Sequence, residues 1–276
     1  MNPTKLTKII LASICCLLIN PLYAQNETYD VVFKDGRVID PETNLDAIRY
    51  VGIKGQKIAI VSETPIKGSI EINAKGKILG PGFFDIHTHA VNVPSFWMQA
   101  YDGVTTSLEL EMGAFPIKKA YEHAKTLRLP LNYGYSASWN GARMVVADGV
   151  TNLNGTVESI QSNFGKPNWS KFISQEKSAA VVNLLEQEML DGGLGIGIMT
   201  GLAPKSNREE YVALANLVNK YDVPTYSHMR SKNIKEPDGA VEGFLETIGV
   251  AAGTGARMHM FHINSVAIKR INAVLP

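Results

Sequence analysis

The run Pro81-Gly82-Phe83-Phe84-Asp85-Ile86-His87-Thr88-His89 carries the residues best suited to chemistry, two imidazoles at i and i+2 behind an apolar lead. Side chains two apart on a strand share a face, so His87 and His89 can converge on one ion. Neutral imidazole is a good Zn²⁺ ligand, and a strand holds two rings more rigidly than a loop. The pattern predicts half of a metal site; the bland alternative is a pair of histidines on an exposed edge strand.

Further donors follow in the order a barrel enzyme needs them, each near the C-terminal end of a strand-like run. Val104-Thr105-Thr106-Ser107-Leu108-Glu109-Leu110-Glu111 brings two carboxylates on one face. Val223-Pro224-Thr225-Tyr226-Ser227-His228-Met229-Arg230 brings His228, and Ala256-Arg257-Met258-His259-Met260-Phe261-His262-Ile263-Asn264 brings His262. Parity separates His262, which shares a strand face with Met258, Met260 and Asn264, from His259, expected to pack outward beneath a helix. His123 falls in an expected helix over 117–127, with charged and apolar residues interleaved, and reads as a surface residue.

At these residues the chain resembles the amidohydrolase superfamily, and within it the N-acyl-D-amino-acid deacylases (D-aminoacylases). The resemblance runs from Tyr29-Asp30-Val31-Val32 and Gly36-Arg37-Val38-Ile39-Asp40 through the His-x-His element, Gly103-Val104-Thr105-Thr106 and Thr200-Gly201-Leu202 to His228-Met229-Arg230 and the His262 strand. It implies a (β/α)₈ barrel beside a small β domain, and a hydrolase that cleaves the linear amide of N-acyl-D-amino acids with a zinc-activated water, using one or two ions. It also implies a general-base aspartate after the eighth strand, which would lie beyond Pro276, so no catalytic residue is assigned within the chain. The chain departs from the family's common pattern twice. Met112 stands where the family places a cysteine ligand, and Asn264 stands where it has a lysine two residues after the last histidine ligand.

With no cysteine at that position, a carboxylate oxygen of Glu109 or Glu111 is the substitute ligand. Glu111 lies nearer the C-terminal end of its strand, where barrel active sites sit, and is the expected ligand. Glu109 is expected to be a buried acid, paired to Arg143 or Arg230. The carboxylated lysine used by other superfamily members is set aside, because residues 194–199 contain no lysine. The expected arrangement is one metal on Glu111, His228 and His262, with His87 and His89 forming a second half-site. For the carboxylate of a small-molecule N-acyl amino acid, Arg230, Arg143 and Asn264 are the candidate contacts; a planar guanidinium suits that anion, and an ion pair at the barrel mouth is the competing role for either arginine.

Composition is that of an ordinary globular protein, 45% hydrophobic and 19% charged, with 27 basic against 26 acidic residues. This balance offers no electrostatic case for nucleic acid. Lys5 and Lys8 precede an apolar stretch over 9–19, then Asn20-Pro21 and Ala24. Residues 1–24 thus read as a secretory signal peptide with cleavage after Ala24, giving an exported, periplasmic or secreted protein with no membrane attachment after cleavage. Both cysteines, Cys15 and Cys16, fall inside that segment, so the mature chain needs no disulfide.

Residues 25–80 show short alternating β segments with turn signals, a small β-sandwich-like domain; Asp35-Gly36 is a two-residue hairpin signal. From residue 81 to 276 strands alternate with helices, the pattern of a parallel α/β sheet. The expected strands lie over 84–89, 105–111, 130–135, 194–199, 224–228 and 258–263. Six strands make an incomplete barrel, since closure takes eight and about 250 residues. The expectation is therefore a C-terminally truncated barrel with impaired turnover. Two alternatives stand beside the deacylase: an amidohydrolase of cyclic amides or dipeptides, and a non-catalytic exported metal-binding protein.

Overall fold

The computed structural model describes residues 28–90, 92–230 and 239–264 of the 276. The signal segment expected over 1–24, with its two cysteines, lies outside the described residues. The chain divides into two compact units at Pro81/Gly82.

The first unit is one mixed sheet of five strands, where a sandwich was expected. Strand β1 (Tyr29–Asp40) pairs antiparallel with β2 (Leu45–Lys54), which pairs antiparallel with β3 (Lys57–Ser62). On its other side β1 takes β4 (Gly68–Asn73) and then β5 (Ile78–Leu79), both parallel. Asp35-Gly36 does not make the expected hairpin. The strand runs straight through it as a bulge, with the register shifting between Phe33 and Gly36. Asp35 takes a φ of 59°, and the Tyr50 hydroxyl donates to its Oδ1 at 2.8 Å. Asp-Gly suits a left-handed residue in either setting, and cross-strand pairing chose the bulge.

The second unit is a curled sheet of six parallel strands in the order β6-β7-β8-β9-β10-β11. These are β6 (Phe83–Asp85), β7 (Val104–Ala114), β8 (Asn132–Ser138), β9 (Ile196–Met199), β10 (Thr225–His228) and β11 (Met258–Met260). The helices are α1 (Val93–Tyr101), α2 (Ile117–Thr126), α3 (Trp139–Asp148), α4 (Val157–Gln161), α5 (Gln175–Leu190), α6 (Arg208–Lys220) and α7 (Ala240–Thr254). Strands in sequence order as neighbours, each joined by a helical crossover, give the barrel-type sheet the alternating pattern predicts. Ile196, Ile198, Leu185, Val181, Leu214 and Val218 are buried in its core. No helix among the described residues is long and apolar enough to cross a membrane.

β6, β9, β10 and β11 are shorter than their apolar runs. β6 ends at Asp85, so His87 and His89 follow the strand and do not ride on it. β10 ends at His228 and β11 at Met260, leaving Arg230 and His262 in the loops beyond. The predicted histidine donors therefore stand at or just past C-terminal strand ends, where a parallel α/β sheet presents its sites, and Glu111 lies near the C-terminal end of β7.

Candidate metal centre

The centre is organised by a break in β7. This strand pairs regularly with β8 up to Glu109↔Tyr135 and resumes at Ala114↔Ala137, so three extra residues on β7 must loop out. Gly113 absorbs the turn at a φ of 69°, and the Ser136 hydroxyl holds the Leu110 carbonyl at 2.7 Å. Gly197 on β9 makes room: a Cβ there would lie 2.6 Å from the carbonyl oxygens of both Leu110 and Glu111. A bulge beside a site re-aims a side chain, and here it carries Glu111 to the strand end.

Glu111 is 1% exposed and divides its carboxylate between two pairs of histidines. Oε2 lies 3.1 Å from His87 Nε2 and 3.4 Å from His89 Nε2. Oε1 lies 2.8 Å from His228 Nδ1 and 2.7 Å from His262 Nε2. Two three-residue donor groups result, His87/His89/Glu111 and Glu111/His228/His262, each with its ligand atoms within 4.8 Å of one another. The His87 and His262 rings meet at 4.6 Å between centroids, as do those of His228 and His262. Phe261 covers the other side of His87 at 4.3 Å.

The electrostatics follow from that crowding. Burial works against the Glu111 charge, yet hydrogen bonds from His228, His87 and His89 hold its carboxyl far below the usual carboxylate range. Glu109 first and Glu111 second raise the His89 imidazole to about 10. Burial pulls His262 down. A cluster of imidazoles around one buried carboxylate is a set of lone pairs better satisfied by a divalent cation than by protons, and mixed nitrogen and oxygen donors suit zinc. The residues present fit one or two such ions.

The remaining predicted residues fall differently. Glu109 pairs with neither arginine; its Oε2 lies 2.7 Å from His89 Nδ1 and its Oε1 accepts the Met112 backbone N–H at 3.2 Å. Arg143 is a correction. Its Nη1 is 2.6 Å from Glu210 Oε1, both side chains are fully buried, and its other nitrogens donate to the Trp169 and Lys171 carbonyls. That arginine braces the core and presents no fork to a substrate. Arg230 is committed on one side, with Nε donating to Glu246 at 2.9 Å and Nη1 to the Pro204 and Ser206 carbonyls at 2.8 and 3.1 Å, while its Nη2 is buried without a hydrogen-bond partner among the described residues. The alternation that placed it beside His228 stops with β10.

Asn264 is exposed and does not share a strand face with His262. Phe261 N–H still reaches the Ser227 carbonyl at 3.0 Å, but His262 then takes a φ of 64°, which ends the alternation and turns its ring toward Glu111. A left-handed non-glycine residue at a ligand position is strain held by its surroundings. His259 is exposed against Phe261 and Tyr226, not packed beneath a helix. His123 is exposed on α2, as expected. Sequence reasoning missed Phe261 and the glycines, whose role appears only when the strands are side by side.

No protein-family model matches the chain. The dihydroorotase of Solibacter usitatus is 23% identical over 270 residues, covering 85% of this chain and 54% of the relative. Among solved structures, the N-acyl-D-glutamate deacylase of Bordetella bronchiseptica, complexed with zinc and a phosphonate inhibitor, aligns with a TM-score of 0.67 at 18% identity over 84% of this chain and 51% of its own. D-aminoacylase, described as defining a subset of amidohydrolases, aligns at 0.65 and 19% identity over 89% and 55%. A binuclear metal centre has been described in D-aminoacylase. The chain spans about half the length of the relatives it matches, and it has the fold of these amidohydrolases.

Proposed function

We propose that this chain carries the metal centre of a zinc-dependent hydrolase that cleaves the amide C–N bond of N-acyl-D-amino acids. The observation that carries the reading is the divided Glu111 carboxylate, one oxygen toward each histidine pair at the strand ends of an amidohydrolase fold. A bound zinc supplies Lewis acidity, lowering the pKa of water to about 7 and polarising the amide carbonyl. His87 and His89 hold one side of the centre and His228 and His262 the other. Glu111 would contribute an oxygen to each side, and Phe261 packs against the His87 ring at 4.3 Å.

A linear amide as substrate is supported by the two deacylase folds, and a cyclic amide by the dihydroorotase match, which favours it as the second reading. The apolar stretch over 9–19 behind Lys5 and Lys8 supports export. The test is zinc content by elemental analysis, with hydrolysis of N-acetyl-D-amino acids, their L-enantiomers and dihydroorotate followed in parallel. Zinc with cleavage of the D-substrates is expected. Zinc with cleavage of dihydroorotate alone transfers the site to cyclic amides, and a parent protein without zinc overturns the reading.

A further inference from the structure

His89 has a carboxylate on each ring nitrogen: Glu109 at 2.7 Å from Nδ1 and Glu111 at 3.4 Å from Nε2. Glu109 is 5% exposed, and both of its oxygens are engaged away from the centre, one by His89 Nδ1 and the other by the Met112 backbone N–H. It belongs to neither donor group, although it lies only two residues from Glu111 on the same strand. We propose that Glu109 is a positioning residue that sets the ring of His89 and the backbone beside Glu111 at once, preforming the His87/His89 half of the centre.

A histidine that ligates through Nε2 must carry its proton on Nδ1, and an acceptor there fixes both the tautomer and the ring plane. An ionised carboxylate is acceptor-only, so Glu109 can hold Nδ1–H but cannot replace it. Its second bond, to the N–H of Met112, falls on the residue that follows Glu111 and pins the looped-out turn of β7. One buried side chain thus ties the loop after β6 to the bulge of β7, beside the contacts of His87 and His89 with Glu111 and the Thr88 N–H, which donates to the Leu108 carbonyl at 3.4 Å. Among the described residues the opposite half has a different support: His228 packs against Gly201, where a Cβ would come within 2.4 Å of its ring, and its Nε2 is buried without a partner. The two halves should therefore respond differently to the loss of Glu109.

This inference rests on the metal-centre reading, and its test separates the two. Zinc is titrated into the full chain against a chromogenic chelator, with His89→Ala and His262→Ala identifying the ion each half holds. Glu109→Ala should weaken the ion that His89→Ala abolishes by about 10–100-fold, the usual cost of losing an outer partner of a ligand, and leave the ion that His262→Ala abolishes within about twofold. Glu109→Gln, close in size and still offering one acceptor to Nδ1–H, guards against a variant that fails to fold; it should show a smaller loss confined to the same ion. Equal weakening of both ions, or of neither, overturns the positioning role while leaving the centre in place. A parent chain that takes up no zinc overturns both.

Discussion

His228 Nδ1 lies 2.8 Å from Glu111 Oε1, a contact that joins the ends of β7 and β10 across 117 positions of sequence. Glu111 also meets His87 Nε2 at 3.1 Å with its other oxygen, so one buried side chain spans the whole centre. Its replacement tests both halves together. Glu111→Gln keeps the shape and removes the charge; zinc affinity should fall at both sites by more than the roughly 100-fold upper cost of losing an outer partner. Equilibrium dialysis with elemental analysis measures this, and retention of one tightly held ion would show that the carboxylate does not join them.

The metal-free centre should be sensitive to pH in a defined direction. His89 is raised to about 10 by Glu109 and Glu111, so its share of stability is fully present below an unfolded pKa of about 6.5 and is lost as pH rises toward 10. Glu111 is depressed, so its share is present above an unfolded value of about 4.3 and is lost only as the solution becomes strongly acidic. Thermal unfolding of the chelator-treated protein should show a melting temperature that declines between about pH 7 and 10, and His89→Ala should flatten that decline.

Zinc binding should release protons, because His89 must give up a proton to become a ligand. Calorimetric titration at pH 7.5 in buffers of different ionisation enthalpy should give an apparent heat that depends on the buffer, with about one proton released per ion at the His87/His89 half. A heat independent of the buffer would count against protonated His89 in the free centre.

Gly201 is expected to be intolerant of a methyl group. A Cβ there would lie 2.4 Å from His228 Cδ2 and 2.7 Å from the Met229 carbonyl oxygen. Overpacking of this kind costs about 1–3 kcal/mol, and the ring that must yield is a ligand. Gly201→Ala should lower the urea midpoint and weaken the ion that His262→Ala abolishes, with little effect on the other.

Arg143 should matter for stability and not for binding. It forms a fully buried ion pair with Glu210, whose Oε1 also accepts the Trp139 indole N–H at 2.6 Å. Removing one partner strands a buried charge at a cost of about 3–5 kcal/mol, so Arg143→Ala should shift urea unfolding strongly while zinc stoichiometry in the folded fraction stays unchanged. Loss of substrate affinity in an otherwise stable variant would return Arg143 to the site.

The donors themselves were legible because their types are chemically narrow: four histidines and a glutamate near the ends of apolar runs, in an alternation of strands and helices that predicts a parallel sheet. What misled was parity. The i, i+2 rule holds only while the chain stays extended, and β6, β10 and β11 each stop before the rule is done, at Asp85, His228 and Met260. The face shared by His228 and Arg230, and that shared by His262 and Asn264, therefore do not exist in the folded chain. Arg143 was assigned from its charge, and charge alone does not distinguish a substrate clamp from a buried brace.

Residue type and order, local properties of the chain, thus determined which atoms could hold a metal and the kind of sheet that would present them. Tertiary structure decided how they meet. The three-residue loop in β7, the space left by Gly197 and the left-handed turn at His262 depend on strands far apart in sequence packing side by side. For that reason the division of Glu111 between two histidine pairs, and the pairing of Glu109 with His89 in place of an arginine, emerge only once the sheet has assembled.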